Sequence, residues 1–110
     1  MLDMIPPKKE SQIGEKRKEI DKIDAQIVRL LAKRFLCSQH IAEQKQYEGL
    51  PVVQKAREKE VIRKCSENGE KSGLQRTFIQ KIFNIIILES RKVQKREEKA
   101  SHYFDKKGKI

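Results

Sequence analysis

A chain of 110 residues makes one domain at most, and a hydrophobic content of 36% is thin for a self-sufficient core. Charged residues reach 38% while five glycines and three prolines are spread along the chain, which excludes a turn-rich β sandwich or barrel and predicts an all-α fold. The net charge of +10 is not confined to the ends. From Lys16 to Gln94 there are 18 bases against 10 acids, so the folded part itself expects an anion: a small acid, a nucleic acid or an acidic surface.

Residues 1–14 carry Pro6-Pro7 and no periodicity, and read as a flexible N-terminal arm. From Glu15 to Glu48 no proline or glycine interrupts the chain, and Ile20, Ile23, Ile27, Leu30, Leu31 and Ile41 recur at spacings of three and four. The pattern predicts one long helix, ended by Gly49-Leu50-Pro51. A short second helix is predicted from about Lys55 to Glu67 with Val61, Ile62 and Cys65 inward, its exit marked by Asn68-Gly69 and Ser72-Gly73. The third starts near Gln75 or Arg76 and keeps helical spacing through Phe78, Ile79, Ile82, Phe83, Ile86 and Val93 to about Lys99. Residues 15–99 thus form the helical domain, and residues 100–110 a basic tail. A first helix this long cannot bury its stripe against its own chain, so an intertwined helical dimer is expected.

Other function classes lack their signatures. Ile85-Ile86-Ile87-Leu88 is too short an apolar run to cross a bilayer, and MLDMIPPKKE lacks the apolar stretch of a signal peptide, which points to the cytoplasm and away from membranes. Cys37 and Cys65 have no CxxC spacing, and His40 and His102 cluster with neither, so no metal, cofactor or disulfide framework is indicated.

The informative anomaly is charge on apolar faces. In the first helix the ladder Ile20, Asp24, Ile27, Leu31, Arg34, Ser38, Ile41, Lys45 puts two cations in the seam, about three turns and 16 Å apart. Arg57 and Glu58 lie one turn before Val61 and Ile62, and the stripe of the third helix passes to Ser90 and Gln94, an i,i+4 pair. Each of these has a bland reading as a snorkelling side chain or solvated pair. Their coincidence in all three helices is harder to dismiss, because buried polar groups need partners and surplus cations need an anion. Arg17 stands apart: seventeen residues before Arg34, it lies about 25 Å away and roughly 100° around the helix. The two cannot meet on one small ligand within one chain, so Arg17 serves a partner's site if it serves any.

The segments RKEIDKIDAQIVRLLAKR, IAEQK, LPV, ARE and KIFNIIILESRKVQ, in this order between Lys16 and Gln94, resemble the all-helical chorismate mutases. The resemblance implies a dimer of three-helix chains with two active sites, each taking one arginine from the other subunit. Position by position that arginine is Arg17, while Arg34, Lys45, Arg57, Glu58, Ser90 and Gln94 belong to the home subunit. Gln54 stands where the family often has an aspartate, so its backbone remains usable toward the substrate while its side-chain role and its capping of the second helix are altered. The implied substrate is chorismate, a small dicarboxylate rearranged within itself to prephenate, one C–O bond breaking as a C–C bond forms. Such a reaction needs no nucleophile or proton shuttle, only a held conformer and stabilised charge on the ether oxygen. Arg17, Arg34 and Arg57 then clamp carboxylates with Ser90 as auxiliary donor, Lys45 and Gln94 donate to the ether oxygen, and Glu58 accepts from the ring hydroxyl.

Three other readings compete. An isochorismate pyruvate-lyase shares the resemblance, but Glu58, Ser90 and Gln94 together fit the mutase set better. A nucleic-acid-binding helical dimer accords with the pI near 9.8, yet the bases are dispersed among acids and only six aromatic residues are present. A non-catalytic regulator of the same fold is disfavoured by the intact set of site residues.

Overall fold

A computed structural model describes the chain from Lys8 to Gly108, with side chains described over residues 12–100. The described residues form three helices, α1 (Lys8–Glu48), α2 (Lys55–Lys71) and α3 (Arg76–Gly108), and no strand. The all-α expectation holds. Of the arm expected over residues 1–14 and the tail over 100–110, residues 1–7 and 109–110 lie outside the described residues. α1 takes in the remainder of the arm from Lys8 onward. α3 runs past Lys99, since no glycine or proline interrupts it before Gly108.

The described residues fall into two units, one up to Arg34 and one from Phe35 onward. In the first, the apolar residues of α1 have nothing within the unit to pack on. Ile13, Ile20, Ile23 and Ile27 are each about half exposed (51, 53, 52 and 49%), and Val28 and Leu30 reach 65%. Arg17 lies along the same stripe, bordering a shallow groove with Ile13 and Ile20.

The second unit has a small core. α2 packs on α3, with Ser66 and Gly69 buried on α2 and Ile79, Ile87 and Val93 buried on α3. The last turns of α1 bury Ser38 and Ala42. The seam there passes through Ala42 rather than the expected Ile41, which stays 50% exposed; alanine is the smaller side chain and lets another helix come near. On α3, Phe78 was expected inward and is half exposed.

Two turns fix the order of elements. Leu50 N–H donates to Lys45 O at 2.7 Å and Gly49 N–H to Gln46 O at 3.2 Å, with Gly49 at φ +72°. This is a Schellman close, and Pro51 follows it. The same pair of bonds ends α2: Leu74 N–H to Gly69 O at 2.8 Å, Gly73 N–H to Glu70 O at 3.0 Å, Gly73 at φ +84°. Asn68-Gly69, expected as an exit, therefore lies inside α2. Gly69 answers a packing need, because a Cβ there would sit 2.6 Å from Ile79 Cγ1.

Candidate active site

In the unit from Phe35 onward, the Schellman turn after α1 folds the loop of residues 49–54 back over the end of its own helix. That brings Val52 O within 2.7 Å of Lys45 Nζ, which donates to it. The same ammonium donates to Gln94 Oε1 at 2.8 Å, so α1 and α3 meet through a polar bridge. Lysine has only donors, and the Gln94 amide must therefore turn its oxygen toward Lys45 and its NH2 away. One of the three ammonium hydrogens remains beyond these two bonds. The third ammonium hydrogen and the Gln94 NH2 are thus the donors left on two adjacent groups, Lys45 half-buried and Gln94 buried.

Two turns back along α1 and one along α3, Ser38 Oγ donates to Ser90 Oγ in a long bond of 3.3 Å. Both hydroxyls are buried. They lie seven and four residues from Lys45 and Gln94 along their helices, so the two polar contacts form consecutive rungs between α1 and α3.

From α2, Glu58 enters in the first turn and is half-buried. Arg91 on α3 holds it by a forked contact, Nε to Oε2 at 2.8 Å and one terminal nitrogen to Oε1 at 2.5 Å. This hydrogen bond is the main reason the Glu58 carboxyl lies below its usual pKa, aided by the charges of Arg91, Lys45 and Lys55 and opposed by burial. Arg91 is in turn held more firmly protonated. Burial lowers the pKa of Lys45, and the charge of Glu58 opposes that shift. At neutral pH the arrangement is a cation, an anion and a cation drawn from three helices.

The other predicted residues fall as follows. Gln54 is the N-cap of α2 without a side-chain capping bond, its carbonyl accepting from Glu58 N–H at 3.1 Å. Arg57 is exposed and paired to Glu60 at 2.6 Å, a surface ion pair and not the inward group expected of it. Arg17 is exposed and Arg34 half-buried in the unit ending at Arg34. The structure therefore joins Lys45 with Gln94, and Ser90 with Ser38, and sets Glu58 within reach of Lys45's charge. An open groove of about 1030 Å³ beside the Pro51–Val53 loop is lined by Lys92, Lys95 and Arg96, and none of the eight predicted residues borders it. Among the described residues no group of three His, Cys, Asp or Glu could hold a metal ion, and no helix is long and apolar enough to cross a membrane.

Sequence reasoning missed Arg91 and Val52. Arg91 had a signal: it is one residue after Ser90 and three before Gln94, and Glu58 on a neighbouring helix needs a cation. The carbonyl of Val52 had none, since a backbone oxygen looks the same at every residue.

The arrangement can hold an anion and donate hydrogen bonds to an oxygen that gains charge, and Glu58 can accept from a hydroxyl. The family model for chorismate mutase type II matches residues 16–95 of this chain. The chain is 40% identical over 80 residues to a bifunctional chorismate mutase/prephenate dehydratase of Buchnera aphidicola subsp. Schizaphis graminum, a match covering 73% of this chain and 21% of that protein. It is 31% identical over 84 residues to a chorismate mutase of Methanocaldococcus jannaschii, covering 76% and 85%. The chain thus spans about a fifth of the length of the bifunctional relative and most of the length of the other.

Proposed function

The chain belongs to the chorismate mutase type II family, and from that premise we propose that it catalyses the rearrangement of chorismate to prephenate as a cytoplasmic homodimer. The observation that carries the reading is the Lys45–Gln94 bridge, which orients two N–H donors.

In the reaction the ether C–O bond lengthens as the new C–C bond forms, and negative charge grows on the ether oxygen. Lys45 supplies a cation there and the Gln94 NH2 a neutral donor, both fixed before the substrate arrives, so little reorganisation accompanies the charge. Bonds to Val52 O and to Gln94 hold the ammonium in place. Glu58 receives the ring hydroxyl, and the backbone at Gln54 lies at the same entrance to α2. Arg34 and Arg57 clamp carboxylates, with Ser90 as a further donor. Arg57 reaches the substrate by leaving Glu60, an exchange of partners that costs little for an exposed pair. No step takes a proton from carbon or forms an enzyme–substrate bond.

The dimer rests on the uncovered stripe of α1. Six large aliphatic residues about half or more exposed on one helix make a patch that a second copy of the same helix can cover. Arg17 sits among them beside Ile13 and Ile20, so a helix covering the stripe carries Arg17 to the partner's site.

Loss of chorismate absorbance on adding purified protein, with prephenate identified as product, tests the reaction. Mixing tests the sharing. Arg17→Ala and Arg34→Ala homodimers should each be nearly inactive, while random exchange of the two makes half the dimers mixed and about a quarter of all sites intact. Activity no higher than the average of the two variants after verified exchange refutes the sharing.

A further inference from the structure

We infer that Arg91 is a positioning residue for this reaction: its guanidinium, forked onto both oxygens of Glu58, fixes that carboxylate as an acceptor and keeps it from capturing Lys45. The inference rests on the function proposed above and adds to it a residue outside the eight. Three observations carry it.

The first is geometry. Both Glu58 oxygens are engaged, at 2.8 and 2.5 Å, by two nitrogens of one planar group, which fixes the rotation of the carboxylate as well as its place. A carboxylate has about four lone-pair directions, so two remain for an incoming hydroxyl. A carboxylate held in this way accepts in a set direction.

The second is the charge around Glu58. The groups acting on it are Arg91 from α3, Lys45 from α1 and Lys55 on its own helix. Take Arg91 away, and the nearest compensation for the half-buried carboxylate comes from Lys45 and Lys55. A lysine drawn toward Glu58 leaves Val52 O and Gln94 Oε1, and its charge goes to a protein carboxylate instead of the ether oxygen. Arg91 thus acts on two reacting contacts at once through a single ion pair.

The third is position on the helix. Arg91 follows Ser90 directly and precedes Gln94 by three residues, so α3 presents Ser90, Gln94 and Arg91 from one pair of turns. The residue that orients Glu58 is therefore built into the same rigid element as the donor to the ether oxygen.

The experiment compares Arg91→Met and Arg91→Lys with the parent by kcat and KM for chorismate across pH, with the Glu58 side-chain carboxyl followed by carbon NMR. The sign follows from the pair: Arg91 holds the carboxyl below its usual range, so removing the cation raises that pKa and moves the acid limb of activity to higher pH. The Met variant is expected to lose about tenfold or more in kcat/KM, mostly in kcat, with its acid limb shifted up by about half a unit or more. Lysine keeps the charge without the fork, so the Lys variant should recover most of the acid limb and only part of kcat. Should the Met variant fail to fold, the Lys variant decides: parental kcat at every pH overturns the inference. A parent that turns over chorismate, with both variants matching its kcat and acid limb, overturns it as well. A parent without turnover removes the function itself, and the inference with it.

Discussion

Gly69→Ala is expected to destabilise the protein although it improves helix propensity. An ideal Cβ at this position lies 2.6 Å from Ile79 Cγ1 and 3.4 Å from its Cδ1, where carbon atoms prefer about 3.5–4.0 Å. The overlap is therefore about 1 Å, against a branch next to the root of the side chain. Ile79 is buried and β-branched in a helix, so it has essentially one χ1 rotamer and cannot swing aside. Overpacking of this kind costs about 1–3 kcal/mol, against a gain of about 0.5–1 kcal/mol for replacing glycine inside a helix. The expected net loss falls between about 0 and 2.5 kcal/mol and centres near about 1 kcal/mol, read as a fall in melting temperature of about 4–8 °C for each kcal/mol at fixed protein concentration. Relief should come from Ile79→Ala, whose double variant with Gly69→Ala is expected to be more stable than the two single losses add up to. The effect should also reach the site. Glu58 is eleven residues before Gly69, three turns along the same face, and any widening between α2 and α3 stretches its fork to Arg91. A Gly69→Ala protein as stable as the parent and equally active refutes the claim that this glycine exists for close packing.

Two further substitutions test the site and its entrance. Gln94→Glu places a carboxylate where an NH2 donor is assigned, so activity should be poor at neutral pH and recover as pH falls and the carboxyl becomes a donor. Glu58 stays ionised below the usual carboxylate range, which leaves an acidic window for that recovery; a pH–rate profile parallel to the parent's sinks the assignment. Gln54→Asp supplies the side-chain cap that α2 lacks and a negative charge at its N-terminus, so it should raise stability by about 0.5–1 kcal/mol. A denaturant midpoint that does not rise, at unchanged m-value, contradicts this.

How much of this was readable beforehand depends on what each residue does locally. The three helices follow from apolar spacing and from Gly49 and Gly73, whose positive φ angles serve helix ends as their sequence context suggests. Gly69 misled, because a glycine that stops a helix and one that lets another helix approach are the same letter. Lys45 and Gln94 announced themselves as polar residues on apolar stripes, and they meet at 2.8 Å. Arg57 shared the signal with Glu58, yet adjacent residues on a helix point about 100° apart, so only Glu58 turns inward. Arg91 carried its signal only in relation to others: a basic residue in a basic helix looks ordinary until Glu58's need for a cation is set beside its place between Ser90 and Gln94.

The Arg57–Glu60 pair bears on how strongly salt should affect binding. Were the arginine bare in the empty protein, a dianionic ligand would displace counter-ions from it, and affinity would fall steeply with ionic strength. Arg57 instead already has a carboxylate at 2.6 Å, so a ligand carboxylate arriving there would trade one ion pair for another and leave Glu60 to Lys64, 3.6 Å away. Capture at that end would become an exchange reaction, whose balance ionic strength shifts only weakly. On the proposed function, the empty Arg57 would then hold back from other anions, and selectivity at that end would fall to the ligand that fits the geometry.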